Sequence, residues 1–251
     1  MIRLADAVAV VTGGANGLGR SYCEAFARAG ARVVVADLDG DNAEALAAEL
    51  SGDSSSPRAV AVRADVTSEE DTAAVAEAAL GAFGRIDVLV NNAGSYPHVA
   101  FEEIGFDEWR RVISVNLDSV YLCSRAVLGP MKAQARGSII NVATNLVWTG
   151  LAGMVHYVAA KAGVVGFTRA FAREVGPYGI RVNAVAPGAV VPDVAMTDAS
   201  RERIDAIVAY QCLRRAERSD DLVGAVLFLA SEASAFISGQ VITVDGGLTT
   251  H

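Results

Sequence analysis

The sequence predicts an α/β fold, a doubly wound parallel sheet of about seven strands with helices on both faces. Short β-branched runs alternate with Ala-rich segments of helical period along the 251 residues, and such alternation produces a parallel sheet covered on both sides. The early runs are continuously apolar, as strands buried on both faces should be. The predicted strands are residues 8–11, 32–36, 59–63, 88–90, 138–142, 181–185 and 241–244.

The segments between the strands indicate one domain. Helical period is clear over residues 20–29, 41–50 and 69–83. No shift in composition marks a boundary, and this length suits one large α/β domain, so residues 1–251 are predicted to form a single domain. Residues 188–212 follow the sixth strand with mixed polarity and weak periodicity, and we expect a mobile lid there.

Charge and composition exclude several classes of function. The net charge is -8 and Lys and Arg form no run, which argues against nucleic acid, anionic membranes and acidic carrier proteins as partners. The three cysteines are far apart, and no paired histidine spacing suggests a metal. The N-terminus does not resemble a signal peptide, and no apolar run is long enough for a membrane span. We therefore expect a cytoplasmic protein without a metal.

The first predicted strand ends in a glycine-rich turn, Thr12-Gly13-Gly14-Ala15-Asn16-Gly17-Leu18-Gly19. Glycine lets the backbone approach a pyrophosphate closely, and the helix that follows offers free N–H groups and the positive end of its dipole. A glycine cluster alone is weak evidence, but the first βα turn of a doubly wound sheet is where a dinucleotide binds. The residues predicted to contact the cofactor here are Gly13, Asn16, Gly17, Leu18 and Gly19.

Asp37 ends the second predicted strand, 18 residues after Gly19. An acidic residue at about this distance binds the adenosine ribose hydroxyls, and its charge repels a 2′-phosphate. No Arg or Lys stands beside Asp37. The sequence therefore predicts NAD rather than NADP as the cofactor, with Leu38, Asp65 and Val66 also at the adenosine half.

Tyr157 and Lys161 open a long predicted helix that ends near Gly176. Residues four apart share one helix face. A cation close to a tyrosine favours the phenolate and lowers its pKa, so the tyrosine can exchange a proton with a substrate hydroxyl. The pattern alone is weak, because most such pairs are a core aromatic and a surface lysine.

Further motifs occur in a fixed order. They are Asn91-Asn92-Ala93-Gly94 after the fourth strand, Asn116 in Val112-Ile113-Ser114-Val115-Asn116, Gly137-Ser138-Ile139-Ile140-Asn141-Val142, and Arg181-Val182-Asn183-Ala184-Val185-Ala186-Pro187-Gly188. With them, the chain resembles the classical short-chain dehydrogenase/reductase family from Leu4 to Gly247, and a Rossmann fold and an oxidoreductase activity are implied. The resemblance also implies further cofactor contacts at Asn92, Ala93, Gly94, Tyr157, Lys161, Pro187, Gly188 and Val190.

The same resemblance implies a proton relay. Tyr157 would be the acid/base, Lys161 would tune it and hold the nicotinamide ribose, and Asn116 would fix a water that links Lys161 to solvent. Thr144 stands 13 residues before Tyr157, where most relatives have serine; its hydroxyl can still bond the substrate oxygen, although its methyl narrows the pocket. Pro192 replaces a threonine that bonds the nicotinamide carboxamide in many relatives, so backbone near Val190 would make that contact.

The predicted substrate pocket is apolar and aromatic. Its residues are Tyr96, Asn145, Trp148, Met154 and Val194, although ordinary loop packing explains any one of them equally well. This lining suits a hydrophobic or aromatic secondary alcohol and its ketone. Within the family, the chain looks most like enzymes that oxidise aromatic alcohols, such as phenylethanol and pyridoxal dehydrogenases.

Two other functions remain open. A 3-oxoacyl carrier-protein reductase would use NADPH and a basic docking face, and both Asp37 and the acidic charge oppose it. A catalytically impaired, NAD-binding regulatory protein is favoured only by Thr144.

The sequence also predicts a homotetramer, a dimer of dimers. The predicted helices at 116–131 and 157–175 carry more apolar residues than one sheet-covering stripe needs, which indicates a partner surface. The ending Val244-Asp245-Gly246-Gly247-Leu248 is a second candidate contact, because the family usually forms tetramers through both surfaces. The apolar residues in question are Val120, Leu122, Val127, Val164, Phe167 and Phe171.

Overall fold

The computed structural model describes residues 2–52, 58–191 and 197–250. Their seven strands form one sheet in the order β3-β2-β1-β4-β5-β6-β7, and every neighbouring pair is parallel. The predicted doubly wound sheet is thus confirmed. The strands are β1 (Val8–Thr12), β2 (Arg32–Asp37), β3 (Ala59–Arg63), β4 (Val88–Asn91), β5 (Gly137–Val142), β6 (Ile180–Pro187) and β7 (Val241–Val244).

Helices cover both faces of the sheet. They are α1 (Gly17–Arg28), α2 (Gly40–Ser51), α3 (Glu69–Phe83), α4 (Phe106–Ile113), α5 (Ser119–Gln134), α6 (Leu146–Thr149), α7 (Val155–Val175), α8 (Asp198–Val208) and α9 (Ser219–Ala230). Along β1, Ala9 and Val11 face a core shared with α1, α2 and α9, whereas Val8 and Val10 face a core shared with α3, α5 and α7. This double burial explains why the strands are continuously apolar.

The order of the strands places a crevice at the carboxyl ends of β1 and β4. The chain winds outward from β1 to β3 on one side, and from β4 to β7 on the other. Ligands of open α/β sheets bind where the winding reverses. The glycine turn after β1 and the Asn-Asn-Ala-Gly turn after β4 meet at this point.

The link between α4 and α5 differs from a regular helix. Residues Ser114–Asp118 form a widened, π-helical turn between the two helices. Such turns hold one extra residue and occur frequently at functional sites. Asn116 lies in the middle of it.

Of the apolar helix residues that predicted a partner surface, only some lie at the surface of the chain. Val120, Val127 and Val164 are 2%, 2% and 0% exposed, so they belong to the chain's own core. This part of the sequence argument is wrong, because these side chains cover the sheet and the neighbouring helices. Leu122, Phe167 and Phe171 remain half-buried at the surface.

Within the predicted lid, only some residues are described. Residues 188–191 and 197–212 are described and include α8, whereas Pro192 and the predicted pocket residue Val194 lie outside the described residues. Across the described ranges, no helix is both long and apolar enough to cross a membrane. The same residues contain no group of three or more metal-ligating side chains.

Candidate active site

The glycine turn after β1 is shaped for a close backbone approach. Gly13 and Gly17 have φ of +60° and +52°, a region that favours glycine. A Cβ on Gly19 would overlap the carbonyl oxygen of Gly13. Among the described residues, no side chain caps the first turn of α1, so its N–H groups remain available to an anion. These features fit a dinucleotide pyrophosphate.

Thr12 and Asn92 fix this turn to the end of β4. The Oγ1 atom of Thr12 accepts hydrogen bonds from the main-chain N–H groups of Asn92 (3.1 Å) and Ala93 (3.2 Å). The side-chain amide of Asn92 donates to the carbonyl oxygens of Thr12 and Gly13, both at 3.0 Å. Sequence reasoning missed Thr12, although it is a polar residue at the end of an otherwise apolar strand.

Asp37 joins the end of β2 to the same turn. Its Oδ2 atom accepts from the N–H of Ala15 at 2.9 Å, and its Oδ1 atom accepts from the N–H of Asp39 at 3.0 Å. Each oxygen keeps a second lone pair for a ligand hydroxyl. The carboxylate is therefore held in place, with capacity left for a ribose.

The other predicted adenosine contacts are less constrained. Leu38 is 63% exposed, and Val66 is buried. Asp65 accepts two hydrogen bonds from Thr67, which lower the pKa of its carboxyl group. Its carboxylate is thus bonded within its own turn after β3.

Tyr157 and Lys161 lie on one face of α7, and Thr144 follows β5. Burial raises the pKa of Tyr157 to about 12, against a hydrogen bond with the Thr144 side chain that lowers it. Lys161 is 3% exposed, and burial lowers the pKa of its ammonium group to about 8. Its Nζ atom donates to the carbonyl oxygen of Val142 at 2.7 Å.

The tuning of Tyr157 by Lys161 stays a prediction. The sequence argument made Lys161 the group that lowers the pKa of Tyr157. In the structure, burial dominates and raises that pKa, and Thr144 is the neighbour that lowers it. The Lys161 ammonium group donates to the carbonyl oxygen of Val142 at the end of β5, and its Nζ atom lies 5.9 Å from the centre of the tyrosine ring.

Asn116 is fully buried in the widened turn after α4. Its Nδ2 atom donates to the carbonyl oxygens of Ser95 (2.8 Å) and Val112 (2.9 Å), and its Oδ1 atom accepts from the N–H of Ser95 at 3.3 Å. A Cβ on Gly94 would lie 2.9 Å from Asn116 Oδ1 and 3.7 Å from Lys161 Nζ. Asn116, Lys161 and the turn after β4 are therefore neighbours.

The fourth side of the site is the turn after β6. The N–H of Asn145 donates to the carbonyl oxygen of Pro187 at 2.9 Å. The N–H of Gly188 donates both to the carbonyl oxygen of Val244 (3.1 Å) and to Glu217 Oε2 (3.0 Å). Val190 pairs with Glu217 in an isolated parallel bridge. Sequence reasoning missed Glu217, because nothing in its neighbourhood marks it as buried.

The predicted pocket residues occupy different environments. Tyr96 is 71% exposed and contacts Tyr157 edge-on, with ring centres 6.2 Å apart. Met154 is buried, and Trp148 packs against a core cluster that includes Val164. The Asn145 side chain is buried and donates to Asp245 Oδ2 at 3.1 Å. Tyr96 is thus a predicted pocket residue that contacts Tyr157.

One neighbouring loop also shapes this wall. The N–H of Val99 donates to the carbonyl oxygen of Gly153 at 2.8 Å. The His98 ring fills the space where a Cβ on Gly153 would stand. The loop after β4 and the loop before α7 are therefore joined beside Tyr157.

The fold and this site define an oxidoreductase of the Rossmann type, and comparison with known proteins agrees. Residues 13–249 match a family model described as enoyl-(acyl carrier protein) reductase. The chain is 39% identical to the trans-4-hydroxycyclohexanecarboxylate dehydrogenase of Sinomonas cyclohexanicum, over 98% of this chain and 94% of the relative. It is 36% identical to the 3-oxoacyl-[acyl-carrier-protein] reductase of Thermotoga maritima, over 98% of this chain and 99% of that one.

A solved structure is also similar. It is described as a "putative short-chain alcohol dehydrogenase" from Sinorhizobium meliloti 1021, with a TM-score of 0.91, 33% identity and coverage of 98% of both chains. The protein belongs to the classical short-chain dehydrogenase/reductase family.

Proposed function

We propose that this protein is a cytoplasmic, NAD(H)-dependent enzyme that interconverts a secondary alcohol and its ketone through a relay of Tyr157, Lys161, Asn116 and Thr144. The observation that carries the proposal is the buried Lys161 beside Tyr157 on α7, with its Nζ atom 5.9 Å from the centre of the tyrosine ring. The Thr144 side chain interacts with Tyr157 and lowers its pKa. The purely regulatory alternative does not explain why the hydroxyl of Thr144 lies where a catalytic serine would bond the tyrosine.

The residues divide the work between binding and proton transfer. The glycine turn and the N-terminus of α1 would hold the pyrophosphate, Asp37 the adenosine ribose, and Lys161 the nicotinamide ribose. The bound nicotinamide supplies the hydride chemistry. Tyr157 gives a proton to the substrate oxygen in reduction and accepts it in oxidation, while Thr144 orients that oxygen.

The pKa of Tyr157 bears on the direction of the reaction. With a pKa of about 12, the phenol stays protonated at neutral pH, which is the form that donates to a ketone. Oxidation needs the phenolate, so its rate should rise with pH. Where Lys161 is protonated, its charge would assist oxidation by favouring the phenolate once substrate and cofactor exclude water.

NAD is proposed over NADP because of Asp37. Its carboxylate is fixed on the glycine turn by the N–H of Ala15, where a 2′-phosphate would meet a negative charge. Relocating the carboxylate would break that hydrogen bond, so the site cannot readily accommodate the phosphate.

The substrate is proposed to be a hydrophobic cyclic or aromatic secondary alcohol. Tyr96 presents a ring edge-on to Tyr157, a surface suited to an apolar ring. A relative named for oxidising a hydroxycyclohexane carboxylate supports this class. The carrier-protein reductase of Thermotoga maritima supports the alternative substrate, a 3-oxoacyl thioester, which Asp37 and the net charge of -8 oppose.

One set of assays tests the proposal. NADH formation is measured with 1-phenylethanol, cyclohexanol and hydroxycyclohexane carboxylates, and ketone and acetoacetyl-thioester reduction is measured with NADH and with NADPH. Wild type is compared with Tyr157→Phe and with Tyr178→Phe, a control at a tyrosine that is 45% exposed beyond the end of α7. Activity confined to NADPH and the thioester would favour the carrier-protein reductase. No turnover in any assay would favour the regulatory protein.

A further inference from the structure

Glu217 holds the segment that follows β6. It lies between α8 and α9, and its side chain is 4% exposed. Its Oε2 atom accepts from the N–H of Gly188 at 3.0 Å, and its main-chain oxygen accepts from the N–H of Val191 at 2.8 Å. One residue therefore anchors both halves of the 187–191 segment, which flanks the proposed nicotinamide site.

The packing between Glu217 and this segment is close. A Cβ on Gly188 would lie 2.6 Å from Glu217 Oε2 and 2.9 Å from the Cβ of Asp245. The carboxyl group thus fills the space that a side chain at Gly188 would need. Moving that carboxyl group would leave a void beside the segment and would remove one of the two acceptors of the Gly188 N–H group.

The two buried carboxyl groups beside this segment, Asp245 and Glu217, accept very different numbers of hydrogen bonds. Asp245 accepts five hydrogen bonds, from Asn145, from the main chain at Gly247, Leu248 and Thr249, and from the Thr249 hydroxyl. The Glu217 side chain accepts one, and its Oε1 atom has no partner among the described residues. Of the two carboxyl groups, Glu217 therefore has fewer hydrogen bonds to stabilise a buried negative charge.

The carboxylates around Glu217 also disfavour its ionisation. Asp245 after β7 and Asp221 on α9 face it with negative charge, and the phenol of Tyr22 on α1 is also buried nearby. Arg215 opposes them, but both of its terminal nitrogens are bonded to Asp221 at 2.7 Å. Burial first, then these carboxylates, raise the pKa of Glu217 to about 8, although the Gly188 hydrogen bond lowers it.

We propose that Glu217 is a positioning residue for the cofactor: its uncharged carboxyl group holds the 187–191 segment against the nicotinamide half, and its ionisation releases that segment. The cofactor part of this inference rests on the proposed function. An ionised Glu217 relieves its desolvation and its repulsion by Asp245 by turning toward water. The N–H of Gly188 is then left with the carbonyl oxygen of Val244, 3.1 Å away, as its remaining acceptor.

Glu217→Gln is the matched test of this inference. Its amide oxygen can accept from Gly188, has the same shape and cannot ionise. Asp220→Asn is the control, because Asp220 is an exposed carboxylate on α9. Hydrogen exchange at the N–H groups of Gly188 and Val191 is followed by NMR without cofactor, at pH 6.5 and pH 9.

At pH 6.5 we expect the same protection of both amides in wild type, Glu217→Gln and Asp220→Asn. At pH 9 we expect wild type and Asp220→Asn to exchange about tenfold faster than Glu217→Gln, because Glu217 is then mostly ionised. The Gly239 amide, bonded to Val182 at 2.7 Å, is the internal reference. If Glu217→Gln does not fold, the wild-type exchange rates of Gly188 and Val191, taken relative to that of Gly239, still test whether the segment is released at pH 9. Equal pH profiles at Gly188 and Gly239 would overturn the proposal.

NADH binding, measured by fluorescence at both pH values, tests the cofactor part. Between pH 6.5 and pH 9, the affinity of wild type for NADH should fall several-fold more than that of Glu217→Gln. Lys161 titrates in both proteins, so its effect on NADH affinity cancels in this comparison. Equal losses would overturn the positioning role. Absence of NADH binding in wild type at either pH would instead overturn the proposed function, and the exchange rates would still decide whether Glu217 holds the segment.

Discussion

The Nζ atom of Lys161 lies 5.9 Å from the centre of the Tyr157 ring. The two groups are therefore neighbours, and burial shifts their pKa values in opposite directions. The pKa of Tyr157 rises to about 12 while that of Lys161 falls to about 8. Of the two groups, Lys161 is the one that changes charge near physiological pH.

Replacing Tyr157 with phenylalanine should separate chemistry from binding. The ring remains packed against Tyr96, but the transferable proton and the bond with Thr144 are lost. We expect kcat to fall by ~10³-fold, within the usual range for a lost acid/base, and NADH affinity to change little. Steady-state rates and fluorescence titration measure the two effects. Substantial turnover would move the chemistry to another residue.

Lys161→Met should change how stability depends on pH. In wild type, the unfolded lysine keeps its proton up to about pH 10.5, whereas the folded one loses it above about pH 8. Between those values the unfolded state binds more protons, so this group makes the free energy of unfolding rise with pH, by about 2 kcal/mol from pH 8 to 9.5. Lys161→Met should lack this rise.

Urea unfolding at the two pH values measures that difference. Lys132→Met is the control, because Lys132 is an exposed lysine on α5 and should keep the wild-type profile. If Lys161→Met follows wild type, the ammonium group is charged throughout and the low pKa is wrong.

Thr144 should act through its hydroxyl. Thr144→Ser keeps the hydroxyl and should keep activity. Because the substitution removes a methyl group, the pocket should also accept bulkier substrates. Thr144→Ala should lose ~10²-fold in kcat, the scale of a lost oxyanion donor, and should need a higher pH for oxidation because Thr144 lowers the pKa of Tyr157. Alanine and serine variants of equal activity would remove Thr144 from the relay.

Asp37 should decide the choice of cofactor. We expect wild type to prefer NAD over NADP by at least about tenfold in kcat/KM, equivalent to about 1.4 kcal/mol. Asp37→Ala should narrow this ratio, while Asp41→Asn, at an exposed carboxylate on α2, should leave it unchanged. Kinetics with both cofactors measure the ratio, and a wild type that prefers NADP would refute this role of Asp37.

The protein should assemble as a homotetramer. Tyr121 on α5 is 51% exposed, and Phe167 and Phe171 on α7 pack 5.1 Å apart at a half-buried surface. Light scattering at micromolar concentration should give four times the chain mass. Tyr121→Glu should shift the mass downward, because the new charge would be buried in a helical interface. A monomeric wild type would contradict this prediction.

The strands and the cofactor turn were predictable because their signals are local. β3 and β7 match the predicted bounds at both ends, and α3 does as well. The Ser68 side chain caps α3 and marks its start. The contacts of Asp37 and Asn92 with the glycine turn needed the structure, since they join residues 22 and about 80 positions apart.

The remaining errors come from long-range packing. Burial of Val120, Val127 and Val164 by the chain itself cannot be read from helical period, because the period does not say how many faces a helix covers. Glu217 was missed for the same reason. A glutamate in a stretch rich in arginine and aspartate has the pattern of a solvated loop until β6 and β7 are placed beside it.

The widened turn at Ser114–Asp118 fixes the number of residues between α4 and α5. Each residue of a regular helix advances by about 100°. A deletion there could restore regular helical spacing, but it would rotate Asn116 or the whole of α5 away from its contacts. Substitutions in these helices can therefore be neutral while single insertions and deletions in this turn are not, so the segment should evolve by exchange of residues at constant length.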